Sequence, residues 1–181
     1  MAVWKLPRDI RRYSRAIEEL GIEKTGLDQT INMRAVVQRV SKARVAVDGE
    51  IVGEIDLGFL ILLGVGQKDT KEDMDYLVGK ISQLRIFSDP EGKMNLDIKS
   101  IDGNCLVISQ FTLYANTKKG NRPSYIEAAP PDIANKMYEE FCSRLSTEIG
   151  KEVEKGIFGA DMKVSLVNNG PVTIVLDSKK K

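Results

Sequence analysis

The sequence predicts an α+β domain, a β-rich sheet with two helices packed on it. Three observations carry that expectation. The chain has 181 residues, 42% of them hydrophobic, which suits one compact domain with a real core. Its apolar stretches are mostly of strand length and rich in Val, Ile and Leu. Two segments instead place apolar residues at helical spacing, and both carry helix-start signals.

In chain order, residues 1–32 read as a basic amphipathic helix, with Ile10, Tyr13, Ile17 and Leu20 on one side, followed by a polar linker. The domain proper is expected to begin at Met33 and to run over 33–178, with 179–181 a frayed basic tail. "RAVVQRVSKARVAVDGEIVGEI" reads as two strands around Asp48-Gly49, a hairpin signal of the primed-turn kind. "FLILLGVG", from Phe59, is a buried strand. Thr70 opens a helix, Asp73 completes a weak capping box, and Met74, Leu77, Val78, Ile81 and Leu84 form its stripe. "SDPEGKMN" is a turn, Asn104 to Ala115 a strand, and "NTKKGNRPS" a basic loop. The second helix starts near Pro131, buries Ile133, Met137, Phe141, Leu145 and Ile149, and ends at Gly150. "MKVSLV" and "PVTIVLD" close the chain as two strands on either side of "NNG".

Composition excludes several kinds of chemistry. With no histidine, a Ser-His-Asp or Cys-His arrangement is impossible, and the commonest zinc ligand is missing. Cys105 and Cys142 lack metal or disulfide-framework spacing, which fits buried thiols in a reducing cytoplasm. No paired-carboxylate motif stands near the signature segments described below, so neither a metal nor another cofactor is expected. No run approaches the roughly 18 to 20 apolar residues of a membrane helix. Residues 1–32 hold six of the 27 basic and five of the 26 acidic side chains, leaving 21 of each beyond them. A nucleic-acid partner would therefore be gripped locally rather than by one broad phosphate-binding face.

Two polar interruptions of apolar segments stand out. In "SQFTL", a period of two puts Gln110 and Thr112 on one face, Ser109 and Phe111 on the other. Taken alone, Ser and Thr are ordinary strand residues. In "NNGPVT", Asn168 to Thr173, the pattern alone reads as a tight turn: Gly frees one φ and Pro fixes the next. A cis bond does not follow from it.

From Met33 to about Asp177 the sequence resembles the D-aminoacyl-tRNA deacylases. The resemblance rests on "MRAVVQRVSKARVAVDGEIVGEI", "SQFTLYA", "KKGNRPSY" and "GIFGADMKVSLVNNGPVT" in their usual order. It implies a barrel-like sheet domain working as a homodimer, with sites at the subunit interface. The substrate is then the 3′ end of a D-aminoacyl-tRNA, whose ester is hydrolysed to free tRNA and D-amino acid. It implies that Gly170-Pro171 is cis and enters the partner's pocket, where both carbonyls accept from the substrate α-ammonium. L-residues are then rejected by clash, a chiral proofreading that lets glycyl-tRNA through.

The same resemblance assigns Thr112, Gln110, Ser109 and Phe111 to the catalytic segment. Thr112 is either a nucleophile or a pocket wall beside backbone N–H donors and the tRNA 2′-hydroxyl. Asn168, Met162 and Arg39 fall among the substrate-binding residues, Arg39 as support for the Gly-Pro segment, although Met beside a strand is usually core. Lys118, Lys119 and Arg122 form a basic cluster suited to RNA backbone. A non-catalytic nucleic-acid-binding module is the alternative of a different class.

Overall fold

The computed structural model describes residues 32–179. Of the helix and linker expected over 1–32, all but Asn32 lie outside the described residues. Strand β1 (Arg34–Val47) is the spine of the fold. Asp48 and Gly49, both at positive φ, turn it into β2 (Glu50–Ile55) as the primed-turn signal requires. β3 (Gly58–Gly64) pairs antiparallel with the first half of β1, while β2 takes the second half of the same edge. β6 (Asn104–Ser109) then adds in parallel to β3, and β7 (Glu154–Lys155) in parallel to β6. On the other edge of β1 lies the 16-residue β8 (Met162–Asp177).

The sheet nearly closes into a barrel because β2 curls back toward β7. A Cβ on Gly53 would stand 3.0 Å from the Lys155 carbonyl and 3.2 Å from Leu106, so that approach needs glycine. One core fills the interior, with Val40, Ala43, Val45, Ile55, Leu60, Leu106 and Ile108. A larger one, including Phe59, Ile61, Leu63, Cys105 and Val107, lies between sheet and helices. β3 and β6 send alternate residues into each core. This double burial is why they read as continuous apolar runs rather than alternating ones. Burial pushes both thiols up, Cys142 to about 12, so neither is a thiolate nucleophile near neutral pH.

Helix α1 (Lys71–Ser82) begins with the expected capping box, in which Thr70 and Asp73 each bond the other's backbone N–H. Met74, Leu77, Val78 and Ile81 are buried, and Leu84 packs just beyond its end. "SDPEGKMN" is the turn of a small hairpin, β4 (Phe87–Ser88) with β5 (Met94–Leu96).

Helix α2 (Pro131–Ile149) has Pro131 in its first turn and ends at Gly150 in the left-handed region. Its stripe corrects the sequence reading. Ile133 is 52% exposed, and Ala134, Tyr138, Phe141, Cys142, Leu145 and Ile149 face inward. A strict spacing of four drifts by about 40° per step on a 3.6-residue helix, so a stripe anchored at Ile149 has rotated outward by Ile133.

The two ends of the described segment meet at one corner. Met33 and Ser178 bond each other, and Asn32 reaches Asp177. Lys179 pairs with Asp73 at 2.8 Å, and residues 180–181 lie outside the described set. Among the described residues, no helix is long and apolar enough to cross a membrane.

Candidate active site

The strand expected from Asn104 to Ala115 stops at Ser109. Gln110 departs from extended geometry at φ −143° and ψ 78°, and Phe111–Tyr114 form a 3-10 helix. The strand stops where its neighbour does: Ser109 is opposite Leu63, and the Gln110 N–H makes a last bond to the Leu63 carbonyl at 2.7 Å. Period-two facing therefore does not apply beyond Ser109. Gln110 and Thr112 nevertheless meet, because the turn folds the Gln110 amide back to donate to Thr112 Oγ1. Phe111 is 58% exposed and meets Tyr125 edge-on, centroids 5.1 Å apart.

The turn rests on a buried polar base. A Cβ on Gly64 would stand 3.0 Å from the Tyr114 ring and 3.2 Å from the Gln110 carbonyl, so β3 approaches the turn as closely as backbone allows. Tyr114 OH donates to the Asn32 carbonyl and to the Gly64 carbonyl at 3.2 Å. Nearby, Asp69 accepts from the Gly66 N–H at 2.6 Å, yet its other oxygen is buried without a partner. Burial pushes the Asp69 carboxyl up to about 6 against that backbone bond, with Asp73 adding to the rise. Arg34 reaches the Leu113 carbonyl at 2.9 Å. Neither Tyr114 nor Arg34 was singled out by sequence, since nothing in their spacing distinguishes an anchoring side chain from an ordinary strand residue.

Beyond the turn, Asn116 and Ser124 exchange backbone bonds of 2.8 and 2.9 Å, closing a loop that displays Lys118, Lys119 and Arg122 to solvent. A cavity of about 440 Å³ opens between this loop and the corner where Met33 meets Ser178, lined by Arg34, Tyr114, Asn116, Lys118, Asp177 and Lys179 among others.

"NNGPVT" is not a turn between two strands. β8 runs through it, and the pairing with β1 jumps between Gln38 and Val40 and again between Val40 and Lys42. The segment is a bulge, the device by which a strand takes extra residues without ending. Asn168 clasps it: Oδ1 accepts from the Val172 N–H at 2.8 Å, and Nδ2 donates toward the Val172 carbonyl at 3.4 Å. The Gly170–Pro171 peptide is cis, and both residues are exposed. From β1, Arg39 Nε donates to the Asn169 carbonyl at 2.7 Å, while its Nη1 donates to the Ile86 carbonyl. Met162, at the start of β8, packs with the barrel-interior core, its sulfur over Gly156.

Two clusters result. Ser109, Gln110, Phe111 and Thr112 stand at one end of the sheet beside the basic loop. Asn168, Gly170, Pro171 and Arg39 gather farther along. Gly64, next to the turn, is opposite Arg34, whereas the bulge is tied to Arg39. Five residues of strand separate these levels by roughly 16 Å. One copy of the chain does not join the clusters.

The family described as D-Tyr-tRNA(Tyr) deacylase matches residues 36–177. A D-aminoacyl-tRNA deacylase from Flavobacterium johnsoniae is 55% identical over 149 residues, spanning 82% of this chain and 99% of the relative. The chain belongs to the D-Tyr-tRNA(Tyr) deacylase family. Among solved structures, one titled c-Myc DNA Unwinding Element Binding Protein is 39% identical with a TM-score of 0.75, covering 79% of this chain and 97% of its own. Another, titled a probable eukaryotic D-amino acid tRNA deacylase, has a TM-score of 0.71 over 81% of this chain and 99% of its own; at 17% identity it speaks to the fold alone.

Proposed function

We propose that this chain hydrolyses the ester linking a D-amino acid to the terminal adenosine of a tRNA, freeing both. The observation that carries the reading is family membership across 36–177, which takes in both clusters. The function belongs to the domain of residues 33–178, residues 1–32 being an N-terminal extension to it. The setting is cytoplasmic translation.

The chemistry is electrostatic. Thr112 Oγ1 already accepts from Gln110, and no histidine stands by to take its proton, so it is poorly placed as a nucleophile. The first N–H groups of a 3-10 helix have no partner within it, and here they belong to Phe111, which is exposed, and Thr112, which is half-buried. They polarise the ester carbonyl, and the tRNA 2′-hydroxyl positions the attacking water. Ser109 ends the strand that sets the corner. Gly170 and Pro171 hold the α-ammonium and exclude L-side chains, Asn168 and Arg39 fix them, and glycyl-tRNA passes the same filter. Met162 serves from behind, through the core beneath β8. Lys118, Lys119 and Arg122 take the RNA backbone.

The separation of the two clusters supports a homodimer in which each copy completes the other's site. β8 pairs only with β1 among the described strands and exposes Val167 and Val175 (60% and 71%), an edge that suits a second copy. Size-exclusion chromatography with light scattering tests this, a monomer at micromolar concentration refuting it.

Deacylation of D- and L-tyrosyl-tRNA, with and without a chelator, tests the reading. Chelator-resistant release from the D-ester alone is expected. The relative whose title names DNA binding favours a second reading, a nucleic-acid-binding module without hydrolysis. Binding of tRNA or DNA with no release of either ester would establish it.

A further inference from the structure

We infer that Arg34 is a positioning residue for the catalytic turn, locking the Phe111–Tyr114 helix to the two terminal strands. The inference rests on the deacylase reading for its consequence in catalysis, and on geometry alone for the lock. A four-residue 3-10 helix has poor internal hydrogen bonding and does not hold its own position. Its entrance is fixed by the Gln110 bond to β3 at 2.7 Å. Its exit is fixed by Arg34: Nη1 donates to the Leu113 carbonyl at 2.9 Å, and the guanidinium lies 4.9 Å from the centre of the Tyr114 ring. A charged donor on a carbonyl makes a stronger bond than a neutral one, and the ring face adds a cation–π attraction.

The guanidinium is itself oriented. Asp177 on β8 stands 3.8 Å from Arg34 Nε, and the Asn32 amide holds that carboxylate from the other side. Arg34 therefore ties three segments remote in sequence: the start of β1, the end of β8 and the turn that carries Gln110 and Thr112. Its side chain is 33% exposed and lines the 440 Å³ cavity rather than either core, so its removal leaves the packed interior intact. Without it, the N–H groups of Phe111 and Thr112 and the Gln110–Thr112 pair lose the constraint that aims them. Errors of about 1 Å in such groups cost rate rather than binding.

The test compares the full-length wild type with Arg34→Ala and Arg34→Lys. Steady-state deacylation of D-tyrosyl-tRNA should show kcat reduced about tenfold in Arg34→Ala with KM within about twofold, and a partial return in Arg34→Lys, which keeps a charged donor. Hydrogen exchange reads the lock independently of catalysis. The amides of Leu113 and Ala115 should exchange about tenfold faster in Arg34→Ala while those of β3 and β6 stay protected. Unchanged exchange at the turn overturns the inference whatever the activity. Faster exchange with unchanged kcat, or a raised KM with unchanged kcat, overturns the positioning role. Should the wild type release no amino acid, the deacylase reading fails, and the exchange comparison still decides whether Arg34 holds the turn.

Discussion

The turn at Gln110–Tyr114 and the bulge at Asn168–Pro171 are both polar interruptions of β-structure, and the fold treats them oppositely. The turn ends its strand. It is seated on a buried base of Tyr114, Asn32 and Gly64, and its neighbours β3 and β6 stop at the same level. The bulge leaves its strand running. It is held by its own Asn168 and by the Arg39 side chain from β1, on a surface exposed to solvent. A site on the turn is braced from several sides, by that base and by Arg34. One on the bulge depends on a few side-chain bonds, so single substitutions should act more severely there.

The largest effect is expected from Gly170→Ala. The residue has φ +145°, and an added Cβ would fall 2.7 Å from Val172 Cγ2 and 2.8 Å from its backbone nitrogen. The bulge must shift, and kcat/KM on D-aminoacyl-tRNA should drop about 100-fold while circular dichroism is unchanged. Full activity in that variant would detach the bulge from the site.

Thr112→Ala should do less, lowering kcat about tenfold, the scale of one hydrogen bond. Substrate ending in 2′-deoxyadenosine should lose more, about 100-fold, if the RNA hydroxyl positions the water. The opposite ranking, together with a trapped acyl-enzyme, would restore Thr112 as nucleophile.

Replacing Lys118, Lys119 and Arg122 together by Ala should weaken tRNA binding without altering preference for the D-ester. The slope of log affinity against log salt should become shallower by about 2 to 3, as expected for three lost contacts to the acceptor-stem backbone. A slope equal to wild type would remove the loop from the interface.

The smallest effect concerns the base of the turn. Asp69 has its ordinary carboxyl value of 3.8 when unfolded and is raised to about 6 in the fold, so the folded state holds its proton more tightly. The stability this contributes is complete below about pH 4 and is lost as pH rises through about 6. Asp69→Asn, which does not titrate, should gain on wild type by a few degrees in Tm across that window and hold the gain above it. A Tm difference independent of pH would show that the carboxyl is not held protonated.

Local chemistry made much of the fold legible. Asp48-Gly49 named its turn because both residues tolerate positive φ, Thr70 with Asp73 named a helix start, and Gly150 named a helix end. The continuous apolar runs of β3 and β6 announced burial on both faces. The turn and bulge residues were singled out by their resemblance to a family's segments rather than by period. Where strict period was applied it failed twice: at Ile133, through the drift of a spacing of four, and at Gln110, where the strand had already ended.

By itself, then, the sequence determined the class of fold, the places where the backbone turns, and an absence of histidine that excludes a Ser-His or Cys-His pair. Only the tertiary structure decided that "NNGPVT" is a bulge inside one strand. A Gly-Pro pair is compatible with a turn or a bulge, and the choice lies in whether β1 continues alongside to pair with both flanks. Likewise, only the fold could make Arg34 and Tyr114 partners across about eighty residues of chain: an arginine acquires a role from the carbonyl it meets, and that meeting is set by the packing of strands remote in sequence.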